Sequence, residues 1–221
     1  MVEARALEQS RQRRYVSKQL NEAEIKLAQR LIYQVFVEEM KWLPNSDNPS
    51  GIRVLVDEEI PRFVDNFDDV ATWFGTFDQE KLVACWRFCR PLNASFELEL
   101  YHPIPTFLKT TKSLEVNRLV IHPDYRNKSS VLFNLVRQTY QQLHQTFDYT
   151  FAAVAFPEPG NLYLKIGLQR ANTQPFKYSP DDSQMVSLIY LDFKDKTTLA
   201  SGAARRTPIV NLDKADRSGF A

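Results

Sequence analysis

Apolar side chains recur at helical spacing in two long segments of the chain. The first covers about residues 21–41, where Asn21 and the glutamates that follow it predict an N-cap and an acidic first turn. The second covers residues 129–147 and repeats apolar positions every three or four residues. A shorter helix is predicted over 161–166. Gly167 should end it, because glycine readily adopts the left-handed conformation found at helix C-termini.

Strand patterns occupy five further segments, which are residues 71–77, 82–89, 114–121, 149–155 and 185–193. A short turn separates the first two, so they predict a β-hairpin. The connection between the third and fourth strands contains the second long helix and is long enough to join parallel strands. We therefore expect an α/β fold with a mixed sheet and helices on both faces. A ligand site is expected near residues 121–130, directly after the third strand.

Two intervening segments lack a regular pattern. Residues 44–62 are rich in Pro, Asn and Asp and predict a long loop with one short extended piece at 52–56. Long loops in compact domains often bind ligands or cover sites. Residues 91–112 contain three prolines among apolar side chains, which predicts a covering segment with short helices.

The composition narrows the class of protein. The chain has 221 residues, of which 43% are hydrophobic, and this fits one globular domain. Its 6 glycines are too few for the glycine-rich loops of Rossmann or P-loop nucleotide sites. We expect a basic N-terminal segment (1–20), a folded domain (21–193) and a basic C-terminal tail (194–221).

The charge is distributed unevenly over these three parts. Residues 1–20 carry five basic and two acidic side chains, and residues 194–221 carry six and three, so each segment has a charge of +3. Since the net charge is +1, the domain between them has a charge of −5. An acidic domain argues against binding to nucleic acid, which needs a basic face. The tails either meet an acidic partner or an anionic membrane surface, or are simply solvated.

The cysteines and histidines indicate neither a disulfide nor a metal site. Cys85 and Cys89 lie on one predicted strand, about 13 Å apart, which is too far for a disulfide. Free thiols fit the reducing cytoplasm, and we expect a cytoplasmic protein with no transmembrane segment. The three histidines are scattered, and His122 precedes a proline at a strand end, where a role in a turn is expected.

One segment resembles a known family. Residues 119–126 (LVIHPDYR), a strand that leads into a helix, are similar to the acyl-thioester-binding segment of the GNAT acyltransferase superfamily. Phe36 with Trp42, the run DNFD at 65–68, the hairpin sequence and the run EVNR at 115–118 resemble the acyl-homoserine-lactone (autoinducer) synthase and N-acyl amino-acid synthase branch. The resemblance covers roughly residues 25–193. It implies a GNAT-like three-layer α-β-α fold with a mixed, mostly antiparallel sheet and a central parallel strand pair.

By this resemblance Glu115 is the catalytic base. A carboxylate in a partly desolvated cleft can accept the proton of an ammonium group directly or through water. The alternative is a structural ion pair of Glu115 with Arg118 or Arg87. Residues 115 and 118 face opposite sides of a regular strand, so a shared site requires a β-bulge between them.

The resemblance also assigns residues to an acceptor site, which are Phe36, Trp42, Asp65, Asp68, Arg87 and Arg118. Asp65, Asp68 and Arg87 would form an electrostatic cluster that helps to bind a cationic amino group. The alternatives are a helix cap with a surface ion pair for the charged residues, and core packing for the two aromatic ones. The chain has Ile32 where autoinducer synthases have an arginine, which makes an amino-acid acceptor as attractive as S-adenosylmethionine.

A third set of residues would bind the acyl thioester and its phosphopantetheine arm, namely Val120, Ile121, Arg126, Lys128, Ser129 and Ser130. GNAT enzymes typically place a glycine-rich loop here, but this chain has no glycine in the segment. Amides at a helix N-terminus can still bind phosphate, helped by Arg126, Lys128 and the serine hydroxyls. Phosphopantetheine carries a single phosphodiester, so this loop favours a carrier-protein donor over free coenzyme A. Plain solvated charges at Arg126 and Lys128 are the alternative.

The sequence thus predicts an N-acyltransferase. It would move a fatty acyl group directly from an acyl-carrier-protein or coenzyme A thioester to the amino group of a small amino-acid-like acceptor, with no metal and no tightly bound cofactor. The expected partners are an acyl carrier protein and a small amine, and not nucleic acid. Two alternatives are an ordinary coenzyme A-dependent N-acetyltransferase and a catalytically silent GNAT-like domain that binds a lipid or a protein partner.

Overall fold

A computed structural model describes residues 15–45, 47–57, 59–171, 173–178 and 184–195. The predicted basic segments lie largely outside these residues, since 1–14 and 196–221 are not among them. In the part of the chain that is described, no helix is both long enough and apolar enough to cross a membrane.

The described residues form nine strands and three α-helices. The strands are β1 (Tyr15–Gln19), β2 (Arg53–Asp57), β3 (Ile60–Val64), β4 (Ala71–Asp78), β5 (Lys81–Cys89), β6 (Ser113–Ile121), β7 (Tyr149–Ala155), β8 (Gln169–Arg170) and β9 (Val186–Asp192). The helices are α1 (Glu22–Tyr33), α2 (Ser129–Leu143) and α3 (Gly160–Lys165). Short 3₁₀ helices at Leu98–Leu100 and Thr106–Leu108 interrupt the segment before β6, as predicted.

Backbone hydrogen bonds order seven strands as β1-β4-β5-β6-β7-β9-β8, and β2 pairs with β3 separately. β6 and β7 are parallel, whereas β1 with β4, β7 with β9 and β8 with β9 are antiparallel. This confirms the predicted mixed, mostly antiparallel sheet with a parallel pair. The five predicted strands are all present, but β1, β3 and β8 were not predicted.

Contacts divide the chain into two compact units. The first unit contains the described residues up to Asn66, together with Thr72–Arg87 and Arg118–Gln142. The second unit contains Phe67–Ala71, Phe88–Asn117 and the described residues from Leu143 onward. Of the candidate site residues, Asp65, Arg87 and Arg118 belong to the first unit, and Glu115 belongs to the second.

In the first unit, α1 begins as its sequence predicts. The Asn21 side chain accepts a hydrogen bond from the Glu24 N–H, and the Glu24 carboxylate accepts one from the Asn21 N–H, which completes a capping box. The buried face of α1 includes Ile32, which is fully buried, and the helix packs on β3. The α-helical pattern ends at Tyr33, and residues Gln34–Glu39 continue as a π-helix, which was not predicted.

In the second unit, the segment before β6 covers β7 and β9. Apolar side chains from the three parts pack into one buried cluster, whose members include Phe96, Leu98, Leu108, Phe151 and Leu188. Gly167 follows α3 with a φ of 107°, as predicted for a left-handed C-terminal residue. This packing fixes the short 3₁₀ helix at Leu98–Leu100, which contacts the candidate catalytic residue.

Both cysteines are free and buried on β5, as the strand geometry predicted. Burial raises the pKa of the Cys85 thiol far above its usual value, so this thiol is protonated and unreactive at neutral pH. The described residues contain no group of His, Cys, Asp and Glu arranged to hold a metal ion.

Candidate active site

Asp65 and two arginines form a buried ion cluster in the first unit. Asp65 directly follows β3, while Arg87 lies on β5 and Arg118 on β6. The Arg87 guanidinium binds both carboxylate oxygens, with Nη1 2.8 Å from Oδ1 and Nη2 2.7 Å from Oδ2. Nη2 of Arg118 donates to the same Oδ2 at 2.9 Å. The side chains of Asp65 and Arg87 are each 1% exposed, whereas that of Arg118 is 14% exposed.

This arrangement keeps Asp65 ionised. Burial alone would raise the pKa of Asp65, but the charges and hydrogen bonds of Arg87 and Arg118 hold that pKa well below its usual value. The three groups together carry one net positive charge, because one carboxylate faces two guanidinium groups. Sequence analysis predicted the proximity of Asp65 and Arg87, but not that Arg118 would share the same carboxylate.

The two predicted aromatic residues lie together beside this cluster. The Phe36 and Trp42 ring centroids are 6.3 Å apart, and each ring lies 5.6 Å from the ring of Phe63 on β3. The Arg118 guanidinium lies over the other end of this group, 5.3 Å from the Phe63 ring centroid. Phe63 is buried and Trp42 is 39% exposed, so the aromatic patch (Phe36, Trp42 and Phe63) extends from the ion cluster to the surface of the unit. The sequence reasoning missed Phe63.

The backbone of β6 changes direction at Arg118. Its φ is 55°, a left-handed conformation that side-chain-bearing residues rarely adopt within a strand. The alternation of side chains along β6 is therefore interrupted between Asn117 and residue 119. This is the kind of irregularity that the opposite parity of Glu115 and Arg118 requires if both serve one reaction.

Glu115 is buried in the second unit, where it is 2% exposed. The Leu98 N–H donates to its Oε2 at 3.0 Å, and the Asn117 amide donates to its Oε1 at 3.4 Å. The same Asn117 nitrogen donates to Oε2 of Glu97 at 2.8 Å. Glu97 and Asn117 were not among the predicted site residues, since the sequence reasoning treated residues 91–112 only as a covering segment.

The parallel pairing of β6 with β7 ends at Glu115. The register joins Ser113 with Tyr149, Leu114 with Thr150 and Glu115 with Phe151, although both strands continue beyond these positions. On its other side, β7 pairs with β9 over its whole length. The edge of β7 that follows Phe151 and faces β6 therefore continues without a β6 partner, directly after the buried carboxylate.

The predicted phosphate-binding segment follows β6 in the first unit. Val120 is buried, and the Ile121 carbonyl accepts a hydrogen bond from Nε of Arg126 at 3.2 Å. His122 serves the turn, because its Nδ1 accepts from the Asp124 N–H at 3.3 Å. Ser129 and Ser130 form the first turn of α2.

The two basic residues of this segment already have partners. The Arg126 guanidinium binds the Glu39 carboxylate through two hydrogen bonds of 2.5 and 2.6 Å. This pairing with Arg126 lowers the pKa of Glu39. The Lys128 ammonium lies 3.8 Å from the centroid of the Tyr125 ring. Glu39 belongs to the π-helix that also contains Phe36. Its contact with Arg126 was not predicted from the sequence.

The predicted acceptor residue Asp68 follows Asp65 by three positions. It begins a short 3₁₀ helix, Asp68–Val70, in the second unit. Its backbone carbonyl accepts a hydrogen bond from the N–H of Ala71, at the start of β4.

These elements match a known domain. Residues 31–136 match the family model described as an acetyltransferase (GNAT) domain. Residues 31–136 are thus a GNAT acetyltransferase domain. The matched residues include Asp65, Arg87, Glu115, Arg118 and Arg126, so the resemblance seen in the sequence is confirmed at the level of the superfamily.

Solved structures extend the likeness of this GNAT domain beyond the matched residues. FeeM, an N-acyl amino acid synthase from uncultured soil microbes, is 15% identical with a TM-score of 0.56, over 82% of this chain and 92% of FeeM. BjaI, a CoA-dependent acyl-homoserine lactone synthase solved with SAM and isopentyl-CoA, is 18% identical with a TM-score of 0.59, over 83% and 82%. A GNAT-family acetyltransferase from Staphylococcus aureus is 12% identical with a TM-score of 0.51, over 81% and 99%.

At these identities the three likenesses concern the fold of the GNAT domain. Synthases and an ordinary acetyltransferase share it, so the fold alone does not choose the acceptor or the acyl chain. No curated protein matches the chain by sequence.

Proposed function

We propose that this GNAT domain transfers a fatty acyl group from a phosphopantetheine thioester to the amino group of a small amino-acid-like acceptor. The thioester is presented by an acyl carrier protein or by coenzyme A. The named activities of FeeM and BjaI support this class of reaction. We also propose that the reaction occurs in the cytoplasm, whose reducing conditions keep cysteines as free thiols.

The position of Glu115 carries the proposal. It is a buried carboxylate at the last position where the parallel strands β6 and β7 pair with each other, although both strands continue beyond it. An extended pantetheine arm has amide groups that can bond to an unpaired strand edge. A thioester held along that edge would bring its carbonyl carbon close to the Glu115 carboxylate.

The proposed chemistry is direct transfer. Glu115 takes a proton from the acceptor ammonium, and the neutral nitrogen attacks the thioester carbonyl carbon. A C–N bond forms and the C–S bond breaks, and the thiolate leaves with the second proton that the nitrogen loses on becoming an amide. Glu115 then releases the first proton to solvent. No acyl-enzyme is formed, and neither cysteine is used, since both thiols are buried.

The ion cluster of Asp65, Arg87 and Arg118 could bind either the amino group or the carboxylate of the acceptor, and we propose that it binds the carboxylate. The resemblance assigns the cluster of Asp65, Asp68 and Arg87 to a cationic amino group, whereas we propose a different role for the second arginine that binds Asp65, Arg118. The side chain of Arg118 is 14% exposed and that of Arg87 only 1%, and an accessible guanidinium group can bind a carboxylate. We therefore propose that Arg118 binds the acceptor carboxylate and that the aromatic patch contacts its side chain. A free amino acid fits this charge better than S-adenosylmethionine, whose sulfonium adds a cation.

Arg126 is proposed to bind the phosphate of the donor once it is released from Glu39. In that case Glu39 competes with the phosphate, and Glu39→Gln should lower the KM for acyl-CoA by about twofold to fivefold, as expected for an exposed ion pair. Steady-state kinetics at fixed acceptor concentration measure this change. The control is Glu38→Gln, which removes an exposed charge from the neighbouring position of the π-helix. An unchanged or higher KM in Glu39→Gln would argue against Arg126 as a phosphate ligand.

The function is tested by reconstitution with purified components. The protein is incubated with long-chain acyl carrier protein, long-chain acyl-CoA or acetyl-CoA, and with a mixture of amino acids or S-adenosylmethionine, and products are identified by mass spectrometry. A long-chain N-acyl amino acid is the expected product. Acetylation from acetyl-CoA alone would support an ordinary N-acetyltransferase. No product with any donor would support the silent binding domain.

A further inference from the structure

Two consecutive residues of the covering segment contact β6 from the same side. The Glu97 carboxylate accepts a hydrogen bond from the Asn117 amide at 2.8 Å, and the Leu98 N–H donates to the Glu115 carboxylate at 3.0 Å. Positions 115 and 117 are two residues apart and share a face of the strand. Hydrogen bonds thus connect Glu97, Leu98, Asn117 and Glu115, and we call these four residues the carboxylate clamp.

Asn117 links the two acids of the clamp. Its amide nitrogen donates to Oε2 of Glu97 and, at 3.4 Å, to Oε1 of Glu115. Its amide oxygen lies 3.9 Å from the Cys89 sulfur, whose thiol can donate to it. This orientation of the amide fits the chemistry, because ionised carboxylates only accept hydrogen bonds and a carbonyl oxygen would repel them.

The clamp holds both oxygens of Glu115. Asn117 binds Oε1 and Leu98 binds Oε2, so the plane of the carboxylate is set by two donors from different segments. Each carboxylate oxygen has a second lone pair, which leaves capacity to accept a proton. Glu97 is 4% exposed, and it holds the amide group of Asn117, which in turn orients Glu115. The residue after Asn117 is Arg118, whose positive φ is strained. A base works best when its geometry is fixed before the reaction.

We propose that Glu97 and Asn117 are positioning residues, which hold the Glu115 carboxylate in the orientation needed for proton transfer. The inference rests on the proposed function, in which Glu115 is the base. In this role Glu97 is the acceptor that keeps the Asn117 amide nitrogen turned toward Glu115. Its negative charge is not itself used in proton transfer.

This role separates two replacements at the same position. Glu97→Gln retains an oxygen that can accept from Asn117 and should keep kcat within about twofold of the wild type, because the clamp stays closed. Glu97→Ala removes the acceptor and should lower kcat about tenfold. Asn117→Ala should lower kcat by about tenfold to a hundredfold, the range expected when a reacting group is misplaced by about 1 Å. The KM values for donor and acceptor should change little in all three variants.

The double variant Glu97→Ala with Asn117→Ala tests whether the residues act in series. Its kcat should equal that of Asn117→Ala alone, because the proposed effect of Glu97 on Glu115 passes through Asn117. If the fold-loss in kcat of the double variant equals the two single fold-losses multiplied together, the proposal is overturned, because the residues then act independently. Glu97→Gln as impaired as Glu97→Ala would also overturn it, since the charge of Glu97 would then be required.

A readout that needs no activity separates this inference from the proposed function. The Leu98 amide proton is bonded to Glu115, so its hydrogen exchange, followed by NMR in the full-length protein, reports on the clamp. Exchange should be faster in Glu97→Ala and Asn117→Ala and unchanged in Glu97→Gln. Equal protection in all variants would overturn the clamp even if the wild type is active. An inactive wild type with the predicted exchange pattern would retain the clamp and overturn the proposed function alone.

Discussion

Replacing Glu115 with Gln is expected to lower kcat for acyl transfer by about 10²- to 10⁴-fold, the usual cost of losing a general base. The amide has the shape of the carboxylate but takes up no proton at neutral pH. Its oxygen can still accept from the Leu98 N–H, and only the longer contact with Asn117, at 3.4 Å, is lost, while Asn117 keeps its bond to Glu97. The variant should therefore fold. Mass spectrometry of the N-acyl product, in a purified reaction and in extracts of expressing cells, measures the loss.

Glu99→Gln is the matched control for this experiment. Glu99 lies in the same short 3₁₀ helix as Leu98, but it binds the Lys109 ammonium at 2.6 Å and the Phe96 N–H at 3.2 Å. Its replacement makes the same chemical change near the same segment and should leave kcat within about twofold, because no bond from Glu99 to Glu115 or Asn117 is lost and its ion-pair partner Lys109 is 43% exposed. Equal product from wild type and Glu115→Gln would remove Glu115 from the mechanism.

Replacing Asp65 with Ala is expected to reduce the free energy of unfolding by about 3–5 kcal/mol. The substitution leaves Arg87, whose side chain is 1% exposed, without the carboxylate that binds it through two hydrogen bonds. Asp57→Ala is the control, since Asp57 also pairs with an arginine but is 45% exposed, and its loss should cost about 0–1 kcal/mol. Chemical denaturation at pH 7 measures both. Similar losses in the two variants would contradict a buried, stabilising role for Asp65.

The stabilisation by Asp65 should also depend on pH. Its pKa is lower in the folded state than in the unfolded chain. Its contribution is therefore complete above the ordinary aspartate pKa and is lost as the pH falls toward the lowered value. The difference in stability between wild type and Asp65→Ala should shrink in that acidic range. A difference that grows as the pH falls would mean that the carboxylate is destabilised in the fold.

Local patterns predicted the elements that depend on neighbouring residues. The capping box at Asn21 and Glu24, the β4–β5 hairpin and the left-handed Gly167 are all set by side chains a few positions apart. The parity of Glu115 and Arg118 required a β-bulge only if both serve one site, and Arg118 has a positive φ within β6. These features follow from short-range geometry, which a single sequence contains.

Other features depend on residues far apart in the chain. Glu39 and Arg126 are 87 positions apart, and nothing in either segment indicates that they meet. Glu97 lies in an irregular segment whose apolar residues dominate its pattern, which hid its contact with Asn117. The π-helix at Gln34–Glu39 has the same polar and apolar spacing as an α-helix over so short a run. The resemblance grouped Asp65 with Asp68 and Arg87, but nothing in the sequence showed that Arg118, 53 positions away, binds the same carboxylate.

β1 covers an edge that would otherwise promote aggregation. It pairs with β4 over five positions, from Tyr15 with Asp78 to Gln19 with Phe74, and stands at the end of the sheet. A shortened protein that begins at residue 21, the boundary suggested by the charge pattern, would leave the backbone groups of β4 open to strands of other molecules. Lys18, an exposed charge on β1, discourages such pairing in the longer chain. To avoid aggregation, an expressed form of this domain should therefore begin at or before Tyr15, so that β1 is retained.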